Sequence, residues 1–199
     1  HVESAFDTDL FAPALARLRE ISANGTAAAL DPQRRQKAQR LIVDHARSTL
    51  FAGLVGVVPG RDGRESVPRS LIRRAARTGH SLGLTRPFLG ELLEPLAEAH
   101  GNLLTSDERA ATPTIARMLT DEERGFQRTL AAGLRELDRL RPDERAVIHG
   151  ERLFTLHAER GFPSDLAGEI LAERGLAVDW SGYERAMAAH RAVSREHKA

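Results

Sequence analysis

The 199-residue chain contains no cysteine, which excludes disulfides and thiolate metal sites and fits a reducing compartment such as the cytoplasm. Aromatic residues make up only 5% of it, with one Trp and one Tyr, which disfavours single-strand binding by base stacking on aromatic platforms. Long hydrophobic runs are missing as well. The most apolar stretch, Leu41 to Val58, is interrupted by Asp44, His45 and Arg47, so it reads as a buried helix and no membrane is expected among the partners. There is no glycine-rich phosphate loop, no nucleophile elbow and no His-Glu-x-x-His pair. The eight histidines are scattered without metal-ligand spacing. The pair Asp44-His45 could serve acid–base chemistry, but on a buried helix a histidine hydrogen-bonded within the core is the better reading. The residues thus indicate no catalytic group and no metal site.

Alanine, arginine and leucine dominate, and β-branched residues are few, which favours helix throughout. The expected fold is all-α, a multi-helix bundle of about eight helices in two halves, residues 1–103 and 104–199. Thr8-Asp9 is expected to cap a helix to about Ser22 whose apolar face holds Leu10, Phe11, Ala14, Leu15 and Leu18, and Asn24-Gly25-Thr26 to break it. Asp31-Pro32 opens a helix to about Gly56. Pro87 opens one to Gly101, with Pro95 kinking or shortening it. Thr105-Ser106-Asp107 caps the longest helical stretch, to about Arg141, which Pro113 and Gly125 are expected to divide. After Pro142-Asp143 come a short helix over Glu151–Arg160, a corner at Gly161-Phe162-Pro163, a helix capped by Ser164 or Asp165 and stopped by Gly175, and a last helix capped by Asp179. Leu176-Ala177-Val178 is too short to build a sheet.

One stretch, Ser66 to His80, carries the chemistry. At about 100° per residue, Leu71, Ile72, Ala75 and Ala76 fall on one arc, and Arg69, Arg73, Arg74 and Arg77 on another, with no overlap. Ser66 can cap this helix, Pro68 sits in its first turn, and Gly79 can end it in a left-handed conformation. Four arginines on one face repel one another by a few tenths of a kcal/mol per i,i+4 pair, so something negative is expected to offset them. Carboxylates from neighbouring helices are one candidate and phosphates the other, because the planar guanidinium fork stays charged and bonds phosphate through two parallel N–H groups. From Gly60 to Arg86 there are seven arginines (Arg61, Arg64, Arg69, Arg73, Arg74, Arg77 and Arg86) against Asp62 and Glu65, a local +5 in a chain of net charge +1. Positive charge concentrated in this way is the footprint of a nucleic-acid partner.

Six segments in order along the chain resemble alanyl-tRNA synthetases. Thr8-Asp9-Leu10-Phe11 is similar to the segment after that family's catalytic domain, and Leu41 to Arg47 to its "IADHIR" helix. Val58-Pro59 with Leu71-Ile72-Arg73-Arg74-Ala75 and Leu82-Gly83 resembles "LP … LRRIIRRA … LG". Phe126 to Leu137 resembles "FxxTLxxGLxxL", Gly161 to Leu166 resembles "GFPxDLT", and Gly175–Asp179 with Tyr183–Met187 resembles "GLxVDxxxFExAM". The resemblance implies the helical middle part of that enzyme, which binds the acceptor stem of alanine tRNA, and covers neither the catalytic nor the editing domain. The chain is therefore expected to be an excised fragment or a reduced paralogue, without the ATP-binding motifs and unable by itself to activate alanine. ATP and Mg would belong to the parent enzyme's catalytic domain, and the remainder of the synthetase chain would be a partner.

In the family, an Asn after the "LP" turn and the Asp of "GFPxDLT" read the G·U pair of the stem. Asp165 matches the second, while the Asn position falls near Gly60-Arg61, where no Asn is present. Glu65-Ser66 stands where the family usually has Gly-Tyr, and His157-Ala158-Glu159-Arg160 replaces the usual "YDTY". Arg73, Arg74 and Arg77 match. The expected tRNA-binding residues are thus Arg69, Arg73, Arg74, Arg77 and Asp165, with Arg61 and Arg64 in the loop before the arginine helix. Asp165 has a second reading as a helix cap, and Arg61 as a solvated loop residue. The competing function is a helical protein-interaction module or degenerate synthetase paralogue without specific tRNA recognition.

Overall fold

A computed structural model describes residues 4–23 and 31–196; the expected break at Asn24-Gly25-Thr26 lies outside them. Eight α-helices and two two-residue strands occur among the described residues: α1 (Ala12–Ser22), α2 (Pro32–Leu54), α3 (Ser66–Ser81), α4 (Leu93–Ala99), α5 (Ser106–Arg139), β1 (Val147–Ile148), α6 (Gly150–Arg160), α7 (Ser164–Glu173), β2 (Ala177–Val178) and α8 (Trp180–Glu196). The mostly all-α expectation holds. The chain divides into two compact units, residues 1–127 and 128–199, further along than the expected 103/104 division. The first turns of α5 cause this: Ile115 and Leu119 are buried in the same core cluster as Leu18, Ile42, Leu50, Ile72, Phe88 and Leu96.

In the first unit, α2 packs along α3, and α1 and α4 close the same core. Asp31 caps α2 as expected, its carboxylate accepting the Arg34 N–H at 3.0 Å. Thr105 and Glu108 form a reciprocal capping box at the start of α5. The Glu108 carboxylate accepts the Thr105 N–H at 2.8 Å, and the Thr105 hydroxyl accepts the Glu108 N–H at 3.3 Å. Several ends differ from expectation. Helix α1 begins only at Ala12, with Phe11 at its N-cap, because Pro13 has no N–H to bond the Asp9 carbonyl, and Leu10 stays exposed. The Ser66 hydroxyl donates back to the Gly63 carbonyl at 2.7 Å instead of capping α3. Gly79 lies inside α3, and the left-handed residue is Gly83 (φ 82°): its N–H bonds the His80 carbonyl while the Leu84 N–H bonds Gly79, so α3 gains one more half-turn. The expected helix from Pro87 is a 3-10 turn over Leu89–Leu92 followed by α4, in which Pro95 occupies the first turn, where no intrahelical donor is needed. Helix α5 is undivided. Pro113 and the Arg109 carbonyl it leaves without a donor are both on the exposed side, where water can bond that carbonyl.

In the second unit, the left-handed Gly161 (φ 64°) ends α6 and turns the chain into a buried Phe162. Gly133 of α5 leaves room for that ring, since a Cβ there would overlap it. Neither Ser164 nor Asp165 caps α7: Pro163 holds the N-cap position without a side-chain bond, and its carbonyl accepts the Ala167 N–H. Asp179 does cap α8, accepting the Gly182 N–H at 2.9 Å. Short as it is, the Ala177–Val178 segment pairs in parallel with Val147–Ile148, in the register Val147↔Ala177. That pairing brings the starts of α6 and α8 together, where Gly150 lies against the Asp179–Tyr183 backbone.

Candidate nucleic-acid interface

The helix α3 realises the two-faced pattern. Pro68, Ile72, Ala75, Ala76 and Gly79 are buried, while Arg69, Arg73, Arg74 and Arg77 are all partly exposed; Leu71, at the edge of the apolar arc, is only half-buried. Of the buried residues on α3, Ala75, Ala76 and Gly79 are small, and the Phe88 ring lies against Gly79. The arginine side chains therefore project from a helix whose backbone is held by packing on its other side.

Within the first unit, α5 supplies a carboxylate to this face. One oxygen of Glu122 accepts the Nε–H of Arg69 at 3.0 Å and the Nε–H of Arg73 at 2.8 Å. The Arg73 guanidinium also lies 5.2 Å from the centre of the Phe126 ring, one turn further along α5. Among the described residues the Nη atoms of Arg69 and Arg73 make no hydrogen bond. Arg74, Arg77 and Asp165 each have interactions of their own. The expectation that neighbouring carboxylates offset the arginines is thus met for Arg69 and Arg73. No sequence pattern singled out Glu122, because it is one of many helical carboxylates and only the α3–α5 packing selects it.

Arg61 and Arg64 are exposed in the loop before α3, beside exposed Val55, Val58 and Val67. A Gly60 N–H bond to the Glu65 carbonyl at 2.9 Å closes that loop on itself. Further along, Arg86 pairs with Glu91, which also binds Arg17 at 2.6 Å. Asp165 belongs to the second unit, exposed in the first turn of α7.

Two titratable groups behind this face are perturbed. Burial pushes Glu123, next to Glu122 but fully enclosed, up to about 7. One of its oxygens accepts the N–H groups of Phe88 and Leu89 at 3.0 and 2.9 Å, and the other accepts from Gln127 at 3.2 Å. It therefore caps the Leu89–Leu92 turn from across the core. Burial also lowers His45, so that it favours the neutral form, but its buried Nδ1 has no hydrogen-bond partner among the described residues, unlike the hydrogen-bonded core histidine expected. Among the described residues no group of three or more His, Asp or Glu side chains could hold a metal, and no helix is long and apolar enough to cross a membrane.

Comparison with known proteins agrees with the motif resemblance along the whole chain. Residues 1–199 match the family described as tRNA synthetases class II (A). The alanine–tRNA ligase of Herpetosiphon aurantiacus is 38% identical over 193 residues, which is 96% of this chain and 21% of the relative. Those of Chloroflexus aurantiacus and Halorhodospira halophila are 39% and 37% identical, over 98% of this chain and 22% of each relative. The chain thus spans about a fifth of the length of the curated relatives it matches. With the family match covering residues 1–199, the chain belongs to the class II (A) tRNA synthetases.

Proposed function

We propose that this chain is the tRNA-binding middle part of an alanine–tRNA ligase and grips the acceptor stem of alanine tRNA through phosphate contacts. The observation that carries the reading is the face of α3, where Arg69, Arg73, Arg74 and Arg77 stand partly exposed over a packed apolar back. Arginines on one rigid helix can follow a phosphate backbone, and A-form shape then supplies much of the recognition. Arg61 and Arg64 would extend the contact. Asp165 would accept a hydrogen bond from the guanine amino group of the G·U pair in the minor groove. ATP and Mg, on this reading, serve the alanine-activating part of such an enzyme and not these residues, and the setting is the cytoplasm.

The test is binding of this chain to alanine tRNA, and to the same tRNA with the wobble pair changed to G·C, across a salt series. Four phosphate contacts should give a log–log slope of about −3 to −4. A preference for G·U would support the reading role of Asp165; steep salt dependence without preference would leave the arginine grip alone. Absence of binding at low salt would refute the proposal and favour a protein-interaction module, to which the exposed Val55, Val58 and Val67 beside the basic loop would be suited.

A further inference from the structure

Arg69 and Arg73 are one helical turn apart on α3, and both present their Nε–H to the same oxygen of Glu122. Nε is the inner edge of the guanidinium. A carboxylate that merely neutralised an arginine would do best on two donors of one fork. This one takes a single donor from each, while both pairs of Nη groups make no hydrogen bond among the described residues. The neighbouring Asp121 is paired with Arg124 at 2.7 Å, within α5. The plane of Arg73 is further held by the Phe126 ring at 5.2 Å. The arginine side chains are 26% and 20% exposed, so each keeps some surface that a ligand can reach.

We infer that Glu122 is a positioning residue for anion binding: it pins the inner edges of Arg69 and Arg73 so that the outer ends of both forks are presented together to adjacent phosphates of one RNA strand. The inference rests on the RNA-binding reading above and deepens it. Its physical basis is preorganisation. An arginine loses rotamer freedom when fixed, and two guanidinium groups at i,i+4 repel. The carboxylate offsets both before the ligand arrives, at the cost of one negative charge near the phosphates.

That cost makes the sign of the effect decisive. If Glu122 acted only as a counter-ion, removing it would strengthen RNA binding. If it positions the forks, Glu122→Ala should weaken binding of an acceptor-stem RNA hairpin about fivefold to tenfold although the chain becomes more positive, the scale of immobilising one or two long side chains. Glu122→Gln keeps an oxygen acceptor for both Nε–H groups, and should restore affinity to at least the wild-type value. Thermal unfolding of both variants confirms that the fold is kept; the rescue by Gln is a readout that a stability defect would not produce. Inorganic tripolyphosphate serves as a second probe. Glu122→Ala binding the hairpin as tightly as the wild type, or more tightly, overturns the inference while leaving the RNA-binding reading intact. Tripolyphosphate bound by the wild type and lost in Glu122→Ala, with no RNA binding by either, upholds the pinned anion site and rejects the RNA reading. Binding of neither probe by the wild type rejects both.

Discussion

Glu123→Gln should make the protein more stable at pH 8 and remove a pH dependence that the wild type shows below neutrality. Glu123 is fully buried, with Phe88 and Leu89 N–H groups on one oxygen and Gln127 on the other, and the charges of Glu91 and Arg86 act on it with opposite sign. Burial outweighs the two backbone bonds, so its pKa rises from the ordinary 4.5 to about 7. A carboxyl that holds its proton more tightly when folded contributes stability that is full below the unfolded value and is lost as pH rises through the folded one. The contribution should therefore fall between about pH 4.5 and pH 7, by about 3 kcal/mol at 1.4 kcal/mol per unit. Glutamine keeps the carbonyl oxygen for Phe88 and Leu89, carries no charge to desolvate, and can face a reoriented Gln127 amide. The assay is urea unfolding of wild type and variant at pH 5 and pH 8, followed by circular dichroism. Taking the variant-minus-wild-type difference at each pH cancels the other carboxylates. The difference should be about 2 to 3 kcal/mol more favourable to the variant at pH 8 than at pH 5. A variant less stable than wild type at pH 8 would refute the reasoning, because it would mean that the charge-assisted bonds to Phe88 and Leu89 exceed the cost of burying the charge.

Gly79→Ala should destabilise the first unit by about 1 to 3 kcal/mol in thermal or urea unfolding, since a Cβ there meets the buried Phe88 ring and the usual helix-propensity gain of alanine is outweighed. Thr105→Ala removes one side of the capping box and should cost about 1 kcal/mol, with faster amide exchange at Glu108.

The apolar and arginine arcs of α3 were legible in the sequence because both are properties of a single helix: a 3.6-residue period places Ile72, Ala75 and Ala76 opposite Arg69, Arg73 and Arg77 whatever surrounds them. The caps at Asp31, Thr105 and Asp179 were legible for the same reason, since each bonds an N–H within its own first turn. Misplaced ends had non-local causes. Gly79 looked like a terminator but was kept inside α3 by the need for a small residue under Phe88, and Gly83 took the left-handed position. Asp165 looked like a cap but followed a buried Phe162 and a Pro163 already set to begin the helix.

Local sequence therefore determined the helices, their two-faced character and the motifs that place the chain among the class II (A) synthetases. Tertiary structure alone decided which carboxylates meet the arginine helix and what each does there. Glu122 and Glu123 are adjacent in sequence, yet one side chain lies at the surface binding Arg69 and Arg73, while the other is sealed in the core capping a turn. The reason is geometric. Successive residues on a helix point about 100° apart, so the rotation of α5 against α3 and the Leu89–Leu92 turn sends one carboxylate to the surface and the other inward, and no pattern within α5 encodes that rotation.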